Sequence, residues 1–326
     1  MHPAVSILVT VYNRTEYLRN AIESVLNQSF RDFEVVVLDD SGTAIAKDIC
    51  DPYLSCGKVR YRPNPKTLGV AESLRAAIED CRSDFISILN DDDRMEPGFL
   101  AALLPPLQFD GRFVLAFSDH WLMDAEGVVM PEASEQNTRF HGRLGLPEGE
   151  IANLDEFLLV HNGVPLAVAS VFRRTALDTT LLTAQVAGAY DFWISCALAS
   201  TGGVFYHVPM RLSCWRIHPK METAKSSIDK SDCAIHIASQ LIERGWFPGF
   251  EKFLHGRLAD AFFRSGLDRM DYDRVTEAVR YFLKSLCVSS GWRPILAMLL
   301  CLFPRQVRQT IRIQMMQARR QAAGWQ

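Results

Sequence analysis

Apolar and polar positions follow two rhythms along the first ninety residues. Val5-Ser6-Ile7-Leu8-Val9-Thr10-Val11-Tyr12 is β-branched and mostly apolar, which predicts a buried strand. Tyr17, Leu18, Ala21, Ile22, Val25 and Leu26 then recur at helical spacing, with Thr15 or Asn13 placed to cap the first turn. Phe33 to Leu38 is a second strand, ending in Asp39-Asp40-Ser41-Gly42. Strand, helix, strand in this order demands a right-handed crossover and a parallel sheet. A weaker repeat follows: a short helix near 45–50, a strand around 58–62 and a helix over 70–81. The strand Phe85-Ile86-Ser87-Ile88-Leu89 then stops abruptly in Asn90-Asp91-Asp92-Asp93.

Further along, the pattern predicts a helix over 97–107, a strand over 113–118 and a hairpin with a polar turn over 119–129. Residues 131–152 lack periodicity and are expected to form a surface loop. Val164 to Phe172 is strand-like and ends in Arg173-Arg174, a pair suited either to a phosphate or to a solvated strand end. Tyr190-Asp191-Phe192-Trp193 opens a helix whose first turn would favour an acid on dipole grounds alone. Gly203 to Val208 is another strand, and Leu212 to Pro219 is expected to lead away from the core. From about residue 225 the rhythm is helical, over 232–244, 250–265 and 271–287. The chain therefore divides into an α/β domain at 1–224 and an α-helical region at 225–326 with a basic amphipathic tail.

Composition narrows the picture. A chain of 326 residues can bury a large core, and a net charge of −3 gives no reason to expect a nucleic-acid partner. Eight cysteines without a CxxC pair suggest reduced core residues, not a zinc site or a disulfide frame. No basic-then-apolar leader follows Met1, and no apolar run reaches the length of a membrane span, so a cytoplasmic location is expected. The segment from 278 to 326 contains no acid and eight arginines or lysines. Within it, Ile295 to Phe303 is too short to span a bilayer but long enough to lie in its interface, so the tail is read either as a peripheral contact with an anionic membrane or as a core helix with a basic outer face.

The chemistry gathers at strand ends. Thr10 to Arg14, Asp39-Asp40 and Asn90 to Asp93 share the carboxyl edge of the predicted sheet, where open parallel sheets hold their ligands. No GxGxxG loop is present to seat a pyrophosphate on a helix. Acids at that edge accord with a nucleotide if a divalent cation bridges carboxylates to a diphosphate.

These segments, Val5–Arg14, Val35–Gly42 and Leu89–Pro97, resemble the inverting family-2 glycosyltransferases, whose fold is the nucleotide-sugar-binding GT-A type; the likeness runs over roughly 4–218. The resemblance implies a Rossmann-like mixed, mainly parallel sheet flanked by helices. It places Thr10, Tyr12 and Arg14 in the nucleotide pocket and Asp40 on the uracil ring. Asn90-Asp91-Asp92 falls on the DxD element, with Asp91 on the nucleotide side, Asp92 as principal ligand of Mn²⁺ or Mg²⁺, and Asn90 as a departure from the first acid. Asp191 falls on the catalytic base, and Arg216-x-His218 on the segment whose histidine completes the metal shell. Arg75 stands where many members carry asparagine. The QxxRW signature of processive synthases is absent, which implies transfer of one sugar from a nucleotide-sugar, UDP-linked by expectation, to a glycan or lipid-linked acceptor in cell-surface polysaccharide synthesis. Two other readings stay open: a sugar nucleotidyltransferase, for which a Gly-rich phosphate loop is lacking, and a non-catalytic subunit that binds nucleotide-sugar or recruits partners to a membrane.

Overall fold

A computed structural model describes residues 2–221, 228–308, 310, 311 and 314. The chain separates into two compact units, Met1–Glu222 and Thr223–Gln326. The expected boundary at 224/225 and the arginines 312, 319 and 320 of the tail lie outside the described residues.

The first unit is built on a mixed sheet of nine strands among the described residues: β1 (Val5–Val11), β2 (Phe33–Asp39), β3 (Val59–Pro63), β4 (Phe85–Asn90), β5 (Arg94–Met95), β6 (Phe113–Met123), β7 (Gly149–Glu150), β8 (Ser170–Arg173) and β9 (Val204–Arg216). Their order is β3-β2-β1-β4-β8-β6-β9-β5, with β7 on β9. β3, β2, β1 and β4 are parallel, so their carboxyl ends share one edge as the crossover rule requires. β8 runs antiparallel to both β4 and β6, while β6 and β9 are parallel. Helix Leu18–Leu26 buries Leu18, Ala21, Ile22 and Val25 against Val5, Ile7 and Val9 of β1 and Val35 and Val37 of β2. Its first residue follows Tyr17, so neither Thr15 nor Asn13 caps it.

Several expectations are corrected beyond β4. Residues 131–152 are not a loop: Pro131–Phe140 is a helix. Its inward positions are Ser134 and Thr138, both buried. Ser134 Oγ accepts from the Leu122 N–H at 2.8 Å, and the Thr138 hydroxyl donates to Asp119. A helix whose buried face is polar has no apolar rhythm to detect. The hairpin expected over 119–129 is present but short: β6 runs on to Met123, turns at Asp124–Gly127 and returns antiparallel through a bridge from Met123 to Val129 and the Met130 N–H bond to the Leu122 carbonyl. Val164–Phe172 divides into a short helix, Leu166–Ala169, and β8. Finally, 212–216 does not leave the core but continues β9 and pairs with β5 through Arg94 and Cys214.

The second unit contains helices Ile228–Arg244, Glu251–Asp271, Val275–Val288 and Trp292–Leu300. Phe263, Met270, Ala278, Phe282, Ala297 and Cys301 form its core. Gly266 allows the close approach, because a Cβ there would lie 2.4 Å from the Phe282 ring. Among the described residues no helix is long and apolar enough to cross a membrane.

Candidate active site

Register decides which side chains meet at the carboxyl edge. Thr10 of β1 stands opposite Asn90 of β4, and Val11 opposite Asp39 of β2. The Asn90 side-chain Oδ1 accepts from the Thr10 hydroxyl and from the Tyr190 hydroxyl, each at 3.2 Å, and its Nδ2 donates to Asp93 Oδ2 at 3.2 Å.

The next three carboxylates, Asp91, Asp92 and Asp93, are all buried. Adjacent buried carboxylates repel, and the Arg14 guanidinium, the Arg216 backbone N–H and protonation relieve the repulsion. Arg14 Nε donates to Asp91 Oδ2 at 3.2 Å, and Nη2 reaches Asp91 Oδ1 and, at 2.7 Å, Asp92 Oδ2. Arg216 Nε donates to the Asp92 carbonyl at 2.8 Å, and the Arg216 N–H donates to Asp93 Oδ1 at 2.9 Å. The Arg216 guanidinium also lies over the Tyr17 ring at 4.4 Å and holds the Ala125 carbonyl at 2.9 Å. Burial pushes the Asp91 carboxyl up to about 7 despite the pull of Arg14. Burial and the Asp92 charge lift Asp93 well above the carboxylate range.

His218 reaches this turn because β9 returns to it. Its Nε2 is 3.0 Å from Asp92 Oδ2 and 3.1 Å from Arg14 Nη1. Among the described residues no group of three or more His, Cys, Asp or Glu side chains is arranged to hold a metal. Asp92 and His218 do form a two-residue oxygen and nitrogen set on one side of the cluster. Mg²⁺-like cations are commonly held by one or two protein groups, with phosphate oxygens and water completing the shell, so these residues fit such an ion in company with a diphosphate.

Asp40 lies at the end of β2, where loop 64–69 surrounds it. Oδ1 accepts from Asn64 Nδ2 at 2.8 Å and from the Leu68 N–H at 2.9 Å, and Oδ2 accepts from the Gly69 N–H at 2.8 Å. Gly69 has φ +88°, a backbone that residues with a Cβ seldom adopt. A carboxylate has about four acceptor positions, so Asp40 keeps one for a ligand N–H. Its neighbour Asp39 is turned away from the edge and accepts from the Ser41 and Ala46 N–H groups and the Tyr61 hydroxyl. Tyr12 is 55% exposed at the rim, available as an aromatic face.

Asp191 stands in the first turn of helix Tyr190–Ser200, where its Oδ1 accepts from the Phe192 N–H at 2.8 Å. Ala189, not Asp191, is the N-cap, and no side chain caps the helix. Burial raises the Asp191 carboxyl pKa above the ordinary value, outweighing the backbone hydrogen bonds. Tyr190 beside it ties the helix to Asn90, and through Asn90 to the acidic turn.

The structure thus gathers Thr10, Arg14, Asp91, Asp92 and His218 in one cluster, links Asp191 to it through Tyr190, and leaves Tyr12 at the rim and Asp40 one strand away. Sequence reasoning gave no role to Tyr190 or the Arg216 guanidinium, and took Asp93 only as one of three carboxylates suited to a cation. Tyr190 was detectable as a hydroxyl beside the expected base; the other two act through tertiary hydrogen bonds that no local pattern reveals. Arg173 and Arg174 are half-buried at the end of β8. They donate to the Leu107 and Ser83 carbonyls at 2.6 and 2.7 Å, and Arg173 covers the Phe85 ring. Arg75 makes a surface pair with Glu79.

Residues 6–154 match the model of a family described as Glycosyl transferase family 2. An uncharacterized glycosyltransferase of Methanocaldococcus jannaschii is 28% identical over 60% of this chain and 64% of its own length. A GalNAc(5)-diNAcBac-PP-undecaprenol beta-1,3-glucosyltransferase of Campylobacter jejuni is 25% identical over 54% of this chain and 53% of its own. The chain therefore spans less than two thirds of either relative. Among solved structures, residues 1–349 of TarS of S. aureus in complex with UDP-GlcNAc superpose with a TM-score of 0.65 at 14% identity, covering 96% of this chain and 92% of that fragment. The mannosyltransferase PcManGT of Pyrobaculum calidifontis in complex with GDP-Man and Mn²⁺ gives a TM-score of 0.56 at 15% identity, covering 95% and 84%. At these identities the superpositions establish a shared fold, the mixed α/β sheet of the GT-A type with C-terminal helices.

Proposed function

We propose, from the match of residues 6–154 to the glycosyl transferase family 2 model, that the chain transfers a single sugar, with inversion, from a UDP-sugar to a hydroxyl of a glycan or lipid-linked acceptor in polysaccharide synthesis. The observation that carries this reading is the convergence, at one sheet edge, of a buried acidic turn, the Arg14 guanidinium paired with it and the buried carboxyl of Asp191. The neighbours that bind UDP-GlcNAc and GDP-Man in this fold support a nucleotide-sugar donor. The Campylobacter relative, named for action on an undecaprenyl diphosphate-linked glycan, supports a lipid-linked acceptor.

In this mechanism Asp191 accepts the acceptor hydroxyl proton as that oxygen attacks the anomeric carbon. The bond from that carbon to the diphosphate breaks on the opposite face, and its electron pair leaves with the nucleoside diphosphate. Arg14 offers a guanidinium for the departing phosphate charge, Asp40 a free acceptor position for the uracil N–H, and Tyr12 a stacking face. Asp92 and His218 would hold a divalent cation, Mn²⁺ or Mg²⁺, which when bound neutralises diphosphate charge.

The test is calorimetric titration of UDP with Mn²⁺ and then with chelator, followed by a UDP-sugar panel assayed for transfer. Metal-dependent UDP binding is expected, with Asp191→Asn keeping UDP affinity within about threefold while losing at least about 10²-fold in turnover. Failure to bind UDP in either condition overturns the donor assignment. Equal loss of affinity and turnover in Asp191→Asn overturns the base assignment.

A further inference from the structure

Helix Trp292–Leu300 of the second unit buries its small residues and exposes large ones. Its small positions, Pro294 and Ala297, are buried, together with Cys301 just beyond it. Its large apolar side chains, Trp292, Ile295, Leu296 and Leu299, are exposed, with Trp292 at 70%. They recur at helical spacing as one stripe, which Leu302 (81% exposed), Phe303 and Val307 extend. Isolated exposed apolar residues are ordinary, but a continuous stripe of this kind marks a binding surface.

Charge identifies the occupant. No acid occurs from 278 to the end of the chain, while Arg280, Lys284 and Arg305 are exposed. The neighbouring helix Val275–Val288 adds a shallow apolar depression lined by Phe262, Leu283, Cys287 and Val288, with Arg280 and Lys284 at its sides. Asp260 lies beside Trp292 but is paired with Arg264 and Arg293, which leaves Arg280, Lys284 and Arg305 as a net positive charge near the apolar side chains. Apolar side chains accompanied by net positive charge match a surface that is apolar below and anionic above.

We propose that this face of the second unit docks on the interface of an anionic lipid bilayer, with the 292–303 stripe inserted at the level of the acyl chains and Arg280, Lys284 and Arg305 among the headgroup phosphates. The proposal deepens the functional reading, since a lipid-linked acceptor resides in such a bilayer, but it stands on this surface alone and its test uses neither donor nor acceptor.

The experiment is co-sedimentation of the full chain with vesicles of phosphatidylcholine alone and with about one third phosphatidylglycerol, at low and high salt. Binding to the anionic vesicles is expected, at least tenfold weaker in 0.5 M NaCl because exposed charges are screened over a few ångströms there. Ile295→Glu with Leu299→Glu should lower binding at least tenfold while UDP binding by the first unit, measured in the same preparation as a folding control, is unchanged. A Trp292-dependent blue shift of emission on vesicle addition, lost in Trp292→Phe, would place that ring in the apolar layer. Absence of binding to anionic vesicles at low salt overturns the proposal. So does equal binding of the wild type and the double variant, or a concentration-dependent dimer abolished by the same two substitutions without any vesicle binding, which would assign the face to a second copy. Loss of transferase activity in every assay would overturn the functional reading and leave vesicle binding standing.

Discussion

Asn90 can donate and accept at once whatever the pH. An aspartate there would keep the contacts from Thr10 and Tyr190 but set a carboxylate against Asp93, which is buried and already lifted by its neighbours. Asn90→Asp should therefore lower stability at pH 8 by about 1–3 kcal/mol. The sign with pH follows from linkage: carboxyl groups raised by burial and like charge hold protons that the unfolded chain has released, so stability returns as pH falls. Thermal melts of the variant at pH 8 and pH 5.5 check this, and a constant gap from the wild type at both pH values would show that Asn90 does not act by sparing Asp93 a charge. The sequence displays the acids of this turn because they follow a buried strand. It does not display that Asn90 joins three elements, because Thr10 and Tyr190 reach it from 80 and 100 residues away.

At the scale of elements, what was legible was whatever buries an apolar face. β1, β2, β4 and helix Leu18–Leu26 stand where periodicity places them, since their inward positions are Val, Ile and Leu. Helix Pro131–Phe140 was not legible, because it docks on β6 through hydroxyls over a buried polar cluster of Asp119, Arg143 and Arg211. His120 lies beside that cluster with both ring nitrogens buried and without partners, and burial with the Arg143 charge lowers its pKa to about 3. Asp119 opposes this shift; His141 and Arg211 add to it. The unfolded chain takes up a proton here below about pH 6.5 and the folded chain does not, so this stability is present above that pH and lost below it. The loss between pH 6.5 and 5 is on the order of 2 kcal/mol. His120→Phe should leave the melting temperature at pH 7.5 equal or higher and flatten its fall toward pH 5 by several degrees. Parallel melting curves for variant and wild type would show that this ring does not carry the acid sensitivity.

For the whole molecule, the net charge of −3 conceals a segregation that decides how the protein meets other surfaces. The last 49 residues carry eight basic side chains and no acids, so the preceding 277 carry a net −11. Association with a charged surface follows the local potential of the patch presented to it, not the total. A pI near 6.3 implies that the protein should pass through a cation exchanger at pH 7.5. The charge distribution implies the opposite, retention at low salt through the C-terminal region. Replacing Arg305, Arg312, Arg319 and Arg320 with glutamine should cut the eluting salt concentration by at least half while leaving UDP affinity within about twofold, because Thr10, Arg14, Asp40, Asp92 and His218 all belong to the first unit. If the wild type flows through at low salt, the acidic remainder governs the long-range field, and vesicle association would then have to rest on the apolar stripe alone.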